Sequence, residues 1–340
     1  MKKILSTILI FQILSCSNVV KDNESIIIFD NSILNIIDKT AEIEYIVDSV
    51  SVAEGPLWDK NSSSLLFTQV PKNTIYKWNE SEGLDTYILP SGFTNYAPVI
   101  PNVGLSGANG LSFDKNGDLI IAQHGDRRLA KIKNSASNNP NFETIVDKYD
   151  GKRFNSPNDM ALSSSGDIYF TDPTYGFMNL SDWSFDESVK ELSFSGVYKY
   201  SFESESESES ELELISTELN FPNGIALSND EKHLYVNSSD STEKPVILRI
   251  DLENDNKSEI FFDGTELAEA NPGNFDGLKI HSSGNIFTTG PNGILILSSE
   301  GKLLANIAFK DMLTNCAFDS DEKYLYVTGF SFVARIALNN

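Results

Sequence analysis

The sequence predicts an all-β fold arranged as a six-bladed β-propeller, because one short pattern occurs six times along its 340 residues. Each copy begins with Glu, Asn or Asp, in five cases directly before Gly or Asp, and runs through apolar positions into a polar turn. An alternating strand rich in β-branched and aromatic residues follows the turn. The copies begin 39 to 65 residues apart. Repeats of about 40–50 residues with several short strands each are typical of propeller blades.

The six copies divide residues 41–340 into six predicted blades. In each copy the polar turn leads into a strand, which we predict at 65–68, 119–122, 168–171, 234–237, 286–289 and 325–328. Further short strands follow in several copies, at 74–78, 196–200 and 247–250. We expect one closed domain, because closure of the ring hides sheet edges that would otherwise be exposed.

Residues 1–15 are predicted to be a signal peptide that is separate from the fold. Lys2 and Lys3 precede an apolar stretch over 4–14 that is too short to span a bilayer. Residues 13–16, Ile-Leu-Ser-Cys, resemble a bacterial lipobox, in which Cys16 is lipidated and becomes the mature N-terminus. The alternative is an ordinary secretory peptide with an incidental cysteine.

The N-terminal pattern therefore predicts an exported lipoprotein at the cell envelope, in the periplasm or at the outer membrane. Residues 16–40, rich in Ser, Asn, Asp, Lys and Ile, are predicted to form a tether between the lipid and the first blade. Contact with the membrane is expected only through this lipid, because no apolar run reaches the ~18 residues of a spanning helix.

The charge of the chain makes nucleic acid an unsuitable partner. The chain has 26 Lys and Arg residues and 49 Asp and Glu residues, which gives a net charge of −23 at pH 7. Phosphate recognition needs a basic surface.

Like-charge repulsion predicts that the alternating Glu/Ser run over 203–213 is an exposed loop or hairpin inserted in the third blade. Cys316 is expected to be a buried small hydrophobic residue.

The first residues of the six copies are expected to form a ring around the central channel, because the innermost strands of a propeller line that channel. These residues are Glu54, Asn109, Asn158, Asn223, Asp276 and Asn315. All six carry a carboxylate or an amide oxygen, which are the ligands of a hard divalent cation such as Ca²⁺, with Zn²⁺, Mn²⁺ or Mg²⁺ as alternatives. Turn formation by Asn-Gly and Asp-Gly is the competing explanation, but the hairpin turns lie several residues later in each copy.

Several motifs resemble the regucalcin/gluconolactonase family, which includes the senescence marker protein. The resemblance covers nearly all of residues 50–335 and rests on Ala-Glu-Gly-Pro-Leu-Trp (53–58), Ser-Pro-Asn-Asp (156–159), Phe-Pro-Asn-Gly (221–224) and Phe-Asp-Gly (275–277). Three further stretches are more similar to the bacterial gluconolactonase branch than to the animal proteins: Ala-Asn-Gly-Leu (108–111), Gln-His-Gly-Asp-Arg-Arg (123–128) and Tyr-Phe-Thr-Asp-Pro-Thr-Tyr-Gly (169–176).

The resemblance implies one divalent metal ion at the centre of the propeller. By this resemblance its ligands are Glu54, Asn158, Asn223 and Asp276. Asn158 is also a candidate substrate contact, because its counterpart in some relatives mainly touches substrate. The resemblance further assigns the role of general base to Asp276, while Asp159, the adjacent carboxylate at the same rim, is the rival base.

The small-molecule substrate is expected to be a sugar lactone, opened by attack of water on a carbonyl that the metal polarises. Its predicted contacts are Asn109, His124, Asn158 and Tyr175. For His124, substrate contact or proton transfer competes with simple loop packing. For the pair Arg127 and Arg128, binding of a substrate hydroxyl or carboxylate competes with a surface salt bridge.

Two other functions stay open from the sequence. The same propeller and ion are compatible with hydrolysis of another ester, including a phosphotriester, because the pocket loops decide the substrate. A non-catalytic propeller with a structural Ca²⁺ is the second alternative. A serine-hydrolase route is disfavoured, because the chain contains no Gly-x-Ser-x-Gly motif.

Overall fold

The computed structural model describes residues 25–101, 103–132, 140–202, 211–240, 244–271 and 273–339. These residues form six antiparallel sheets of four or five strands, arranged as the blades of a propeller, together with one two-stranded hairpin. The six-bladed β-propeller predicted from the sequence is therefore confirmed. The predicted signal peptide and Cys16 lie outside the described residues. No helix within the described ranges is long and apolar enough to cross a membrane.

The chain enters the propeller at its outer edge and then builds the first three blades in order. The entry comprises β1 (Ser25–Ile28), a 3-10 helix (Asn31–Asn35) and β2 (Ile43–Asp48). Blade one contains β3 (Ala53–Asp59), β4 (Ser64–Gln69), β5 (Thr74–Asn79) and β6 (Gly83–Ile88), with a 3-10 helix at Val70–Lys72. Blade two contains β7 (Ala108–Phe113), β8 (Leu119–Gln123), β9 (Arg128–Ile132) and β10 (Phe142–Val146). After a hairpin of β11 (Lys148–Tyr149) and β12 (Lys152–Arg153), blade three contains β13 (Met160–Leu162), β14 (Ile168–Asp172), β15 (Gly196–Ser201) and β16 (Glu211–Ser216).

The last three blades follow the same inner-to-outer order. Blade four contains β17 (Pro222–Leu227), β18 (His233–Ser238), β19 (Val246–Asp251) and β20 (Lys257–Asp263), and helix α1 (Thr265–Ala270) comes after it. Blade five contains β21 (Leu278–Ile280), β22 (Ile286–Gly290), β23 (Gly293–Leu297) and β24 (Leu303–Ala308). Blade six contains β25 (Leu313–Phe318), β26 (Tyr324–Gly329) and β27 (Phe332–Ala337). Two 3-10 helices, Tyr175–Phe177 and Glu187–Val189, lie in the connection between β14 and β15.

The two ends of the described chain close the ring. Strand β2 pairs antiparallel with β27, with Glu44 opposite Arg335, so the N-terminal part of the chain supplies the outer strand of blade six. Strand β1 pairs with β24 and becomes a fifth strand of blade five. Closure by main-chain hydrogen bonds between the first and last segments leaves no open gap between blades.

The predicted tether over 16–40 is wrong for its second half, since residues from Ser25 onward belong to the propeller. From Ser25 onward the chain is part of the propeller, because β1 is paired and Ile33 and Ile37 are fully buried. Both side chains pack with Phe287, Leu325 and other residues of blades five and six. Residues 25–40 are therefore integral to the fold, and only 16–24 are left for a tether.

Apolar clusters between adjacent blades form the core. Strand β22 is buried at all five positions, which explains why its sequence is a continuous apolar and Thr run. Cys316 is fully buried, as expected. Residues 203–210 of the Glu/Ser run are outside the described ranges, and its last three residues belong to strand β16, which begins at Glu211, and not to a loop.

Candidate active site

The structure brings five of the six predicted ring residues to the floor of one cavity. Glu54, Asn109 and Asn223 lie on the innermost strands of their blades, and Asn158 and Asp276 lie two residues before such strands. The first four are almost completely buried, whereas Asp276 is partly exposed to the cavity.

Glycine after the ring residue allows neighbouring blades to approach closely. Gly55 has a φ of +50°, and a Cβ there would lie 2.0 Å from the carbonyl oxygen of Asn109. A Cβ at Gly224 would lie 2.2 Å from the carbonyl oxygen of Asp276. The backbone N–H of Gly224 instead donates to that oxygen at 2.9 Å. The Gly that follows Glu54 and Asn223 is thus required by close backbone contact around the channel.

A second layer of polar side chains, which the sequence analysis missed, holds the ring in place. The Thr171 hydroxyl donates to the Asn223 carbonyl at 2.7 Å, and the Asn237 amide donates to the Asp276 carbonyl at 2.7 Å. The Thr289 hydroxyl accepts the Asp276 N–H at 3.1 Å. These residues occupy the last position of the predicted second strand in their copies. The polar residue that recurs at the end of these largely apolar strands could have indicated this second layer from the sequence.

Four oxygen atoms at the cavity floor have no hydrogen-bond partner among the described residues. They are the Oδ1 atoms of Asn109, Asn158, Asn223 and Asp276, and all four are buried. Unpaired buried polar atoms are rare in folded proteins, and binding of an ion is one explanation of such groups. The oxygen-only donor set suits a hard divalent cation.

The two carboxylates at the floor, Glu54 and Asp276, are also unfavourable as buried charges without a cation. Burial, with the nearby Asp159 charge, raises the pKa of Glu54 to about 8, and burial together with the Glu54 charge raises the pKa of Asp276 well above its ordinary value. A bound cation would have the opposite effect, because it favours the ionised forms. Glu54, Asn158, Asn223 and Asp276 therefore fit a divalent metal. Within the described residues no group of three or more His, Cys, Asp or Glu could hold a metal ion. The four proposed ligands do not form such a group, because two of them are asparagines.

Asp159 lies apart from the cavity, in contrast to Asp276. Its Oδ1 accepts the Met160 N–H at 2.8 Å, and its Oδ2 accepts from the Asn315 amide at 3.2 Å and from the Lys279 ammonium at 3.4 Å. Asp159 does not line the cavity, and Lys279 lines a second depression beyond the ring. Of the two predicted bases, Asp276 is thus the one with an unpaired oxygen at the cavity.

His124 and Tyr175, two of the predicted substrate contacts, lie in the cavity wall. The Nδ1 of His124 lies 3.3 Å from the Leu105 carbonyl, while its Nε2 has no partner among the described residues. Burial lowers the pKa of His124 to about 4, so the ring is neutral at pH 7, with Nδ1 as donor and Nε2 as a free acceptor. Tyr175 donates to the Ser239 carbonyl at 3.3 Å, and burial raises its pKa.

Arg127 and Arg128 make salt bridges, with Glu191 at 3.2 Å and with Asp126 at 3.3 Å, but the two arginines are buried and not at the surface. Neither of them lines the cavity. Both side chains are only 5% exposed. Arg127 donates from Nε to the Phe154 carbonyl at 2.6 Å, and Arg128 donates from Nε to the Gln123 side chain at 2.7 Å. The guanidinium of Arg128 also lies 3.9 Å from the Tyr96 ring centre.

The cavity above the ring has a volume of about 580 Å³ and an apolar upper wall. This wall was not predicted. Its residues come from the connection between β14 and β15 and from the loops that flank blades four and six: Met178, Leu180, Trp183, Phe221, Met312 and Phe330. The unusual length and aromatic content of 173–195 was the signal that could have indicated it.

Comparison with known proteins agrees with this arrangement. Residues 52–331 match the family described as the SMP-30/Gluconolactonase/LRE-like region. The chain is 34% identical over 314 residues to a gluconolactonase of Zymomonas mobilis, covering 88% of this chain and 82% of that protein. A solved gluconolactonase of Xanthomonas campestris has 23% identity and a TM-score of 0.77 over 93% of this chain and 96% of that one. A calcium-binding regucalcin of Agrobacterium tumefaciens has 15% identity and a TM-score of 0.62 over 88% and 95%.

Proposed function

Because the chain belongs to the SMP-30/Gluconolactonase/LRE-like family, we propose that it is a divalent-metal-dependent hydrolase that opens a lactone ring in a gluconolactonase-like reaction. The observation that carries this proposal is the set of four unpaired oxygens, from Asn109, Asn158, Asn223 and Asp276, around Glu54 at the floor of a cavity. Such an arrangement is unfavourable unless a ligand satisfies it.

Glu54, Asn158, Asn223 and Asp276 would hold the metal, with Ca²⁺ as the first candidate because every donor is an oxygen. When bound, the ion would polarise the lactone carbonyl and stabilise the negative charge that develops on its oxygen. Asn109 keeps an unpaired oxygen at the same floor and is left free to orient the substrate.

Asp276 is the proposed general base. Its buried Oδ1, which has no partner among the described residues, would bind the metal. The second oxygen of this partly exposed residue can accept the proton of the attacking water. The ester C–O bond then breaks, and the same proton can return to the departing alkoxide, which gives a hydroxy acid. The neutral His124 offers Nε2 as a hydrogen-bond acceptor in the wall. Asp159, held by Asn315 and Lys279, has a supporting role.

The test is hydrolysis of a lactone by the mature protein before and after removal of metal. We expect chelation to abolish hydrolysis of glucono-δ-lactone, measured as acid release, and Ca²⁺ to restore it. Full activity in the chelated protein would contradict metal dependence. Stoichiometric binding of Ca²⁺ by calorimetry, with no hydrolysis of any lactone or ester, would instead favour the non-catalytic propeller.

A further inference from the structure

The upper wall of the cavity differs chemically from its floor. Trp183 and Met312 are 55% and 42% exposed, although they are large apolar side chains at the mouth of the cavity. The Trp183 and Phe330 rings lie 6.2 Å apart, so the connection between β14 and β15 meets blade six there. Exposed apolar side chains grouped at a concave surface are characteristic of ligand-binding sites.

Aromatic contacts keep this wall in one arrangement. The ring of Phe221 lies 5.3 Å from that of Tyr175 and 5.4 Å from that of Phe185. Phe221 directly precedes Pro222 and Asn223, so the apolar wall begins next to a ring residue. A ligand whose reacting group lies at the floor would therefore extend along the aromatic side chains.

The hydroxyl groups near this wall already donate to protein carbonyls. Tyr175 donates to Ser239, Ser239 donates to Phe275, and Thr314 donates to Ala53. Asp240 accepts from Asn220 at 3.4 Å. Asn109 Oδ1 and His124 Nε2 are buried acceptors without a partner among the described residues, and the side chains of Asp240 and Asn274 add polar groups to the lining. A lactone with a hydroxyl on every ring carbon would place some of those hydroxyls against the apolar wall, and unpaired buried hydroxyls weaken binding.

We propose that the lactone accepted by this cavity carries a nonpolar substituent, which packs against Trp183, Phe221, Met312 and Phe330 while the ester group lies at the floor. The inference rests on the proposed lactone hydrolysis and narrows its substrate class, from polyhydroxylated sugar lactones to lactones with an alkyl or aryl group beside the ester.

The test uses six-membered lactones that differ only in their substituent. δ-Valerolactone, δ-hexalactone and δ-decalactone carry none, one and five carbons beside the ring oxygen, and glucono-δ-lactone carries hydroxyls throughout. With the Ca²⁺-loaded protein we expect kcat/KM to rise by roughly tenfold or more from δ-hexalactone to δ-decalactone, because each buried methylene contributes to binding. We also expect δ-decalactone to exceed glucono-δ-lactone.

Two variants connect the effect to the wall. Trp183→Ala should lower kcat/KM for δ-decalactone about tenfold more than kcat/KM for δ-valerolactone, whereas Trp183→Phe should keep most of the preference for δ-decalactone. Ile260→Ala is the matched control, because Ile260 is 57% exposed on β20, outside the cavity. A uniform loss on all lactones in Trp183→Ala would show a merely structural role and would contradict the proposal.

Failure of the inference and failure of the proposed function give different results. Fastest turnover of glucono-δ-lactone, with no effect of chain length, overturns the inference and leaves lactone hydrolysis intact. If no lactone is hydrolysed, calorimetry with the corresponding alkyl δ-lactams decides. If the lactam with the longer alkyl chain binds more tightly, and Trp183→Ala abolishes that difference, the apolar site is supported and only the proposed hydrolysis is contradicted. If all lactams bind with equal affinity, the inference is contradicted as well.

Discussion

The side-chain amide of Asn315, in blade six, donates a hydrogen bond to the carboxylate of Asp159, in blade three, at 3.2 Å across the central channel. The same amide nitrogen lies 3.4 Å from Oε2 of Glu54, and the Asn315 oxygen accepts the Cys316 N–H at 2.8 Å. Asn315 therefore bridges two buried carboxylates and has no group left for a ligand in the cavity. This explains why the sixth ring position differs from the others.

The first prediction separates a metal ligand from this bridging residue. Glu54→Gln should weaken Ca²⁺ binding by about 100-fold or more, because a charged oxygen ligand is lost. Asn315→Ala should weaken it by roughly tenfold, at the lower end of the cost of losing a residue that positions ligands. Calorimetric titration of Ca²⁺ into both variants measures the two effects, and equal losses would contradict the assignment of the ligand set.

A second prediction concerns the general base. Asp276→Asn keeps an oxygen for the metal, so it should still bind Ca²⁺ at raised concentration, but it should lower kcat by about 10²–10⁴-fold, because a general base contributes that much. Asp159→Asn should lower kcat less, since the Asp159 carboxylate is occupied by Lys279 and Asn315. Both variants are assayed with metal occupancy verified by calorimetry. A slower Asp159→Asn enzyme beside an active Asp276→Asn enzyme would assign the base to Asp159.

The pH dependence of folding should report the burial of His124. Its pKa is lowered to about 4 in the folded protein, against about 6.5 in the unfolded chain, so only the unfolded state binds the proton between these values. The free energy of unfolding should therefore fall as the pH drops from 6.5 to 4, by about 1 kcal/mol per pH unit from this group. His124→Asn should lack that contribution.

The measurement for His124 is denaturant unfolding of the parent and the variant at pH 7, 5.5 and 4.5. The informative quantity is the difference between the free energies of unfolding of the two proteins. Burial raises the pKa of Asp172 to about 7, so Asp172 stabilises both proteins as the pH falls, and its contribution cancels in that difference. A difference that stays constant from pH 7 to 4.5 would mean that His124 is accessible to protons in the folded state.

The entry segment offers a stability test of its own. Ile33→Ala should lower the free energy of unfolding by about 2–5 kcal/mol, because Ile33 is fully buried in the cluster between blades five and six. Ile27→Ala is the control, since Ile27 is 41% exposed on β1, and it should cost less than about 1 kcal/mol. Equal free energies of unfolding for the two variants would contradict the conclusion that residues 25–40 are part of the folded propeller.

For the N-terminus, which lies outside the described residues, we propose that Cys16 carries the lipid that anchors the protein to the cell envelope. Acyl chains provide anchoring at roughly 0.8 kcal/mol per buried CH₂. Cys16→Ala should release a folded protein into the soluble fraction, measured by fractionation and circular dichroism. Retention of the processed variant in the membrane fraction would contradict lipid anchoring.

The repeat pattern alone was enough to predict the propeller and the register of its central ring. Each blade uses the same inner strand, so Glu54, Asn158, Asn223 and Asp276 could be aligned by sequence before any coordinate was known. Asn315 was aligned equally well, but its bridging role could not be predicted, because it depends on Asp159 reaching it from the opposite side of the ring.

Contacts between residues far apart in the chain were decided only by the tertiary structure. The pairing of β1 with β24 joins residues 277 to 283 positions apart, and a short Ile-rich strand carries no local sign of its partner. Trp183, Phe221 and Phe330 likewise form one wall because loops from three blades meet above the channel. Local sequence determines which segments become strands and which residues begin each copy, through side-chain periodicity and turn chemistry. Closure of the ring and the chemistry of the cavity depend instead on which surfaces meet when six sheets pack around one axis.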